Sequence, residues 1–142
     1  QELVVVTPRS IPVRVVSERV QRFDFGPQSF IRHNPDNDQV LKTGFYQQLE
    51  KGNVSILVHR RKIIQEKIVQ TTLERKFISL DSYYALKDGR YYPINHHKSL
   101  LGLMGDSRQA VTRQLKQQKL KYKHGPENYI LKATQFYNQS HK

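Results

Sequence analysis

The spacing of apolar residues changes character once along this chain. Up to about residue 94 they come in short runs or alternate with polar residues, the period of extended strands. Beyond residue 95 they recur every three to four positions, the period of helices. Residues 3–6 and 12–16 are the first strand segments, and Pro8 and Pro12 confine them to strand starts or sheet edges because proline cannot donate to a ladder. Residues 23–25 and 29–33 follow, joined across Gly26-Pro27, a strong turn signal. Residues 34–38 predict a polar turn whose Asn and Asp side chains bond their own backbone. Residues 45–49 and 54–58 flank a Glu-Lys-Gly-Asn sequence in the form of a β-hairpin, in which Gly52 and Asn53 would take positive φ. Within the second of these strands Val54, Ile56 and Val58 share one face, and Ser55, Leu57 and His59 the other. Residues 63–69 and 73–80 predict two more strands, the latter continuing into 83–86. A turn at Lys87-Asp88-Gly89 then returns the chain as 90–94, with Tyr83, Tyr84, Tyr91 and Tyr92 forming cross-strand pairs.

In the helical part, Leu100, Leu101, Leu103 and Met104 predict a short helix ended by Gly105. Asp106 and Gln109 have the spacing of a capping box for a second helix carrying Val111 and Leu115. Gly125-Pro126-Glu127 opens a third, with proline and an acid in the first turn. Ile130, Ala133, Thr134 and Tyr137 form its apolar stripe, widened by Leu131 and Phe136. Strands segregated from helices define an α+β class: an N-terminal antiparallel β-meander with hairpins over 1–94, then about three helices over 95–138, in a single domain spanning 1–142. A chain of 142 residues is long enough for one real core.

Composition narrows the chemistry. There is no cysteine, which excludes disulfides, thiolate nucleophiles and Cys-based metal sites. No apolar run approaches the ~18 residues of a membrane-spanning helix. Lys and Arg number 24 against 12 acidic residues, a formal charge of +12, which favours anionic partners although basic surfaces also serve solubility alone. The start at Gln-Glu before Leu-Val-Val-Val is what a secreted protein looks like after signal-peptide removal.

Catalytic and metal motifs are missing. His33, His59, His96, His97, His124 and His141 show no convergent ligand spacing, so no metal or other cofactor is expected. Asp24, Asp36, Asp38 and Asp88 read as turn formers, and Glu66 and Glu74 as ion-pair partners among basic neighbours. Neither a Gly-x-Ser-x-Gly elbow nor a Gly-rich phosphate loop is present. The positive signal is basic: a run at Arg60, Arg61 and Lys62, and a second at Lys116, Lys119, Lys121 and Lys123 with Tyr122 embedded. Lysines interleaved with an aromatic suit a polyanion, whereas a plain charge run is more often a solvated face.

Residues 41–62, Arg75 to Phe77, residues 83–94 and residues 98–106 together resemble an uncharacterised exported family of Bacteroidetes-type bacteria with no assigned activity. The basic segment from Lys119 onward fits the same pattern, so the resemblance covers about residues 40–138. It implies export to the periplasm or cell surface, and no catalytic residue carries over from it. The expectation is therefore an exported, non-catalytic binding or structural module of the cell envelope. Its partner would be an envelope protein or an anionic surface component. The alternatives are a nucleic-acid or polyanion-binding domain and, third, a hydrolase whose site is assembled from scattered residues in a deep pocket.

Overall fold

A computed structural model of the protein describes residues 3–34 and 40–142. The architecture is α+β, with a β-rich portion followed by helices. Ten strands run in chain order: β1 (Leu3–Val6), β2 (Pro12–Val15), β3 (Arg22–Phe25), β4 (Gln28–His33), β5 (Gly44–Glu50), β6 (Val54–His59), β7 (Lys62–Val69), β8 (Thr72–Ser79), β9 (Ser82–Lys87) and β10 (Arg90–Ile94). The helices are α1 (His97–Gly102), α2 (Arg108–Gln117) and α3 (Pro126–Ser140). Most of the turn expected at 34–38 lies outside the described residues.

The antiparallel strands fall into three sheets. Six build an antiparallel sheet in the order β10-β9-β6-β5-β4-β3, while β1 pairs only with β2 and β7 only with β8. The expected continuation of residues 73–80 into 83–86 is therefore a correction. β6 pairs directly with β9 from Val54–Lys87 to His59–Ser82, which leaves no place between them for the intervening strands. β7 and β8 leave the sheet as a hairpin of their own.

Alternation on β6 sets the two layers. Val54 and Ile56 join Ala85 and Ile94 on the face covered by helices. Leu57 looks the other way, to Leu41 and Tyr46, with Ile31, Tyr84 and Tyr91 packed around them. Above the first face lie Leu100 and Leu101 of α1, Met104, Val111 and Leu115 of α2, and Tyr129, Ile130, Ala133 and Tyr137 of α3. Thr134 is fully buried on the same helix, its hydroxyl donating to the Ile130 carbonyl at 2.8 Å, so no polar group is stranded there.

The turns show which local signals hold. Asp88 and Gly89 both take positive φ, 50° and 75°, as the tight turn between β9 and β10 requires. The tyrosines, however, do not face each other: Tyr91 and Tyr92 sit opposite Leu86 and Ala85, and Tyr83 and Tyr84 opposite Ile94 and Pro93. The register follows from the two-residue turn, which aligns Arg90 with Lys87 and offsets the aromatics. Gly52 and Asn53 do not take positive φ either. The β5–β6 connection closes through a bulge between Gln48 and Glu50. Glycine at 52 serves close approach instead, since a Cβ there would come within 2.4 Å of Asn138 Nδ2. Asn138 of α3 clamps the hairpin by accepting from the Val54 N–H and donating to its carbonyl, both at 2.9 Å.

The capping box at Asp106 is absent. Asp106 lies in a short 3₁₀ turn (Gly105–Ser107), and α2 begins after Ser107 with no side-chain cap. α1 ends at Gly102, ahead of Gly105, which takes φ 52° two residues beyond the cap.

Two substitutions test this account. Gly89→Val should destabilise the fold by about 1–3 kcal/mol, because a β-branched residue is strained at positive φ; unchanged thermal unfolding would contradict the turn. Asn138→Ala should cost about 2–4 kcal/mol by leaving two Val54 backbone groups unpaired, measured by urea denaturation.

Candidate functional site

The two basic runs meet different fates. Arg60 lies where the chain leaves β6 for β7, and its guanidinium is committed inside the molecule. It binds Glu127 bidentately at 2.6 and 2.9 Å, Asp81 at 2.7 Å and the Gln47 side-chain oxygen at 2.8 Å. Tyr83 donates to the same Glu127 carboxylate at 3.1 Å. The Arg60 guanidinium holds the Glu127 carboxyl below its usual range, while burial first and the Glu127 charge second push the Tyr83 hydroxyl up to about 12. This cluster joins the root of the β7–β8 hairpin, the start of β9 and the first turn of α3. Arg60, one of the candidate binding residues, is thus engaged by a bidentate partner of charge-assisted strength. Arg61 and Lys62 are exposed beside it, at the start of β7.

The second run lines a groove. Lys116, Lys119, Lys121, Tyr122 and Lys123 line an open groove of about 1660 Å³ along the outer side of α2 and the approach to α3. Arg108 and Arg113 complete a ring of six cations, His97, Gln109 and Thr112 add polar edges, and no carboxylate of the described residues lines it. Its floor is apolar, from Leu101, Leu115, Leu120, Tyr122 and Tyr129. Tyr122 meets Tyr129 edge-on at 5.7 Å between ring centroids and lies 6.3 Å from the His97 ring. Burial pushes both tyrosine hydroxyls up, so they remain neutral donors. Arg61 and Lys62 take no part in the groove.

Local backbone explains how the lysines are displayed. α2 ends in a Schellman turn: the Leu120 N–H donates to the Leu115 carbonyl and the Lys119 N–H to the Lys116 carbonyl, both at 3.0 Å. Lys119 occupies the left-handed position at φ 56°, where glycine is usual. Leu120 is thereby turned into the core, and the chain swings across the end of α2 to present Lys121 to Lys123. A non-glycine residue there carries strain, and what it supplies in return is one more ammonium at the groove.

Arg108, Arg113, Leu120 and Tyr129 are not among the residues that the chain alone singles out. Arg108, Thr112 and Lys116 stand at i, i+4 and i+8, a polar stripe at helical period that could have revealed the cationic side of α2. Tyr129 required the fold. Among the described residues, no group of three His, Asp or Glu is placed to hold a metal ion, and no helix is long and apolar enough to cross a membrane. No protein-family model, curated protein or solved structure matches the chain.

Lys119→Gly should raise stability by about 0.5–1 kcal/mol by relieving the left-handed residue, as read by urea denaturation. Arg60→Ala should cost about 1–2 kcal/mol, discounted for partial exposure. Because the folded-state pKa of Glu127 is lowered from 4.5, the stability it contributes is complete above that value and lost as pH falls through the lowered one. The Arg60→Ala variant should therefore lose less stability than wild type on acidification below pH 4.5.

Proposed function

We propose that this protein is an exported, non-catalytic binding module of the bacterial envelope whose α2–α3 groove takes an anionic surface component, an acidic polysaccharide chain above all. The observation that carries the reading is six cations around an apolar floor, with no carboxylate among the described lining residues. Such a groove lowers the free energy of a chain of anions by releasing its counterions, while the floor accepts the apolar faces of sugar rings. The envelope setting rests on the resemblance carried by residues 40–138.

Fluorescence anisotropy of a labelled uronate-rich oligosaccharide, titrated at several salt concentrations, tests the proposal. Six contacts correspond to a slope of log K against log salt of about −4, with a Kd on the order of 10⁻⁴–10⁻⁶ M at physiological salt. Reversing Lys116, Lys119 and Lys121 to Glu should weaken binding by about tenfold or more, whereas Arg61→Glu with Lys62→Glu should leave it within about twofold. Equal losses from the two sets, or none from the first, would overturn the groove as the site.

Tyr122, half-buried between Lys121 and Lys123, favours a second reading, single-stranded nucleic acid. A base stacked on that ring is worth about 1–3 kcal/mol. Tyr122→Ala would then weaken an oligonucleotide well beyond its effect on the oligosaccharide.

A further inference from the structure

The large apolar residues left exposed are concentrated away from the groove, and seven of them lie on or beside the β7–β8 hairpin: Ile63, Ile64, Ile68, Val69, Leu73, Phe77 and Leu80. Among the described residues the hairpin pairs with no third strand, and a lone two-stranded ribbon is marginal in water. Its register separates two faces. On one, Ile64 lies opposite Phe77, Glu66 opposite Arg75, and Ile68 opposite Leu73. On the other, Ile63 lies opposite Ile78, Gln65 opposite Lys76, Lys67 opposite Glu74 and Val69 opposite Thr72. The first face is thus two apolar rows on either side of one ion pair, in which Arg75 Nε donates to Glu66 Oε1 at 2.9 Å. Ile64, Phe77, Ile68 and Leu73 are 56%, 72%, 73% and 50% exposed.

We infer that this face is the contact through which two copies of the chain associate. The row pattern reads the same from either end: apolar, charged, apolar. A second copy stacked on it about a two-fold axis sets apolar rows against apolar rows. It also brings Glu66 and Arg75 of each copy together in a four-charge cluster of zero net charge. Such self-complementarity is what an isologous interface requires. A lipid surface fits less well, because inserting the face would strip water from the central ion pair without a compensating partner. Four side chains at these exposures present roughly 400–500 Å² per copy, so a stacked pair buries on the order of 900 Å², the size of a weak contact rather than an obligate one. None of these residues lines the cationic groove, so the dimer would carry two grooves and gain avidity for a long polyanion.

Sedimentation velocity of the full chain, from micromolar to near-millimolar concentration, should show a reversible monomer–dimer equilibrium. Glu66→Arg alone puts two like charges in each copy, four in a homodimer, and Arg75→Glu alone does the same with opposite sign. Each should weaken self-association by tenfold or more. Mixing the two variants restores opposite charges between copies while each copy keeps its own like-charged pair, so the mixture should recover the dimer. Phe77→Ser should abolish it in wild-type background without changing the far-ultraviolet circular dichroism. A wild-type chain that stays monomeric, single variants that dimerise as wild type does, or a mixture that stays monomeric would each overturn the proposal. So would a wild-type monomer that instead floats with phosphatidylglycerol vesicles in a Phe77-dependent way.

Discussion

Everything in this molecule hangs from burial of the central strand. β6 is sequestered on both faces, with Val54, Ile56 and Val58 inaccessible and Leu57 nearly so. One face must be covered by helices, and three short amphipathic helices do it, none of which would be stable alone. Truncating a residue in this seam, such as Ile130 to Ala, would remove transfer energy and open a cavity, about 2–5 kcal/mol in comparable cores. The direct pairing of β6 with β9 has a second consequence: the chain between them cannot enter the sheet and must project as a hairpin. Arg60 sits at that exit and ties it to α3 through Glu127, so the hairpin's root is held by charge-assisted bonds.

The same constraint separates the surface chemistry. α2 spends Val111 and Leu115 on the core and turns Arg108, Thr112, Arg113 and Lys116 outward. Its Schellman turn then carries Lys119, Lys121 and Lys123 to the same side, and the cationic groove is the outer surface of the helical cover. Glu127 and Asp81 are engaged by Arg60, and Glu66 by Arg75. Apolar exposure is kept apart on the β7–β8 hairpin and on β1–β2. The cationic groove and the apolar rows of the hairpin thus occupy different elements, and each can be altered without the other.

Much of the fold was legible in the chain because it depends on local rules. Alternation placed Val54 and Ile56 on the face opposite Leu57, and the Asp88-Gly89 turn followed from the φ values only such residues adopt readily. The helical stripe of α3 was readable at Ile130, Ala133 and Tyr137. What failed depended on partners distant in sequence. Gly52 looked like a turn glycine, but its neighbour Asn138 lies on the far side of the chain. The tyrosine pairing missed because a two-residue turn fixes register before side chains choose partners. Of the site, Lys116, Lys119, Lys121, Tyr122 and Lys123 were visible as a basic run with an aromatic. A charge run does not disclose which of its members has an internal acid to meet, as Arg60 has in Asp81 and Glu127.

The central claim is that the groove, and not the net charge of the whole molecule, binds the anion. Titrating isotopically labelled protein with an acidic oligosaccharide and following backbone amide shifts by NMR addresses it residue by residue. Perturbations confined to the α2 surface, the Schellman turn and Tyr122 to Tyr129, with Arg61, Lys62 and the β7–β8 strands unmoved, are the predicted result. Shifts spread evenly over every lysine and arginine, with no localisation at the groove, would contradict it.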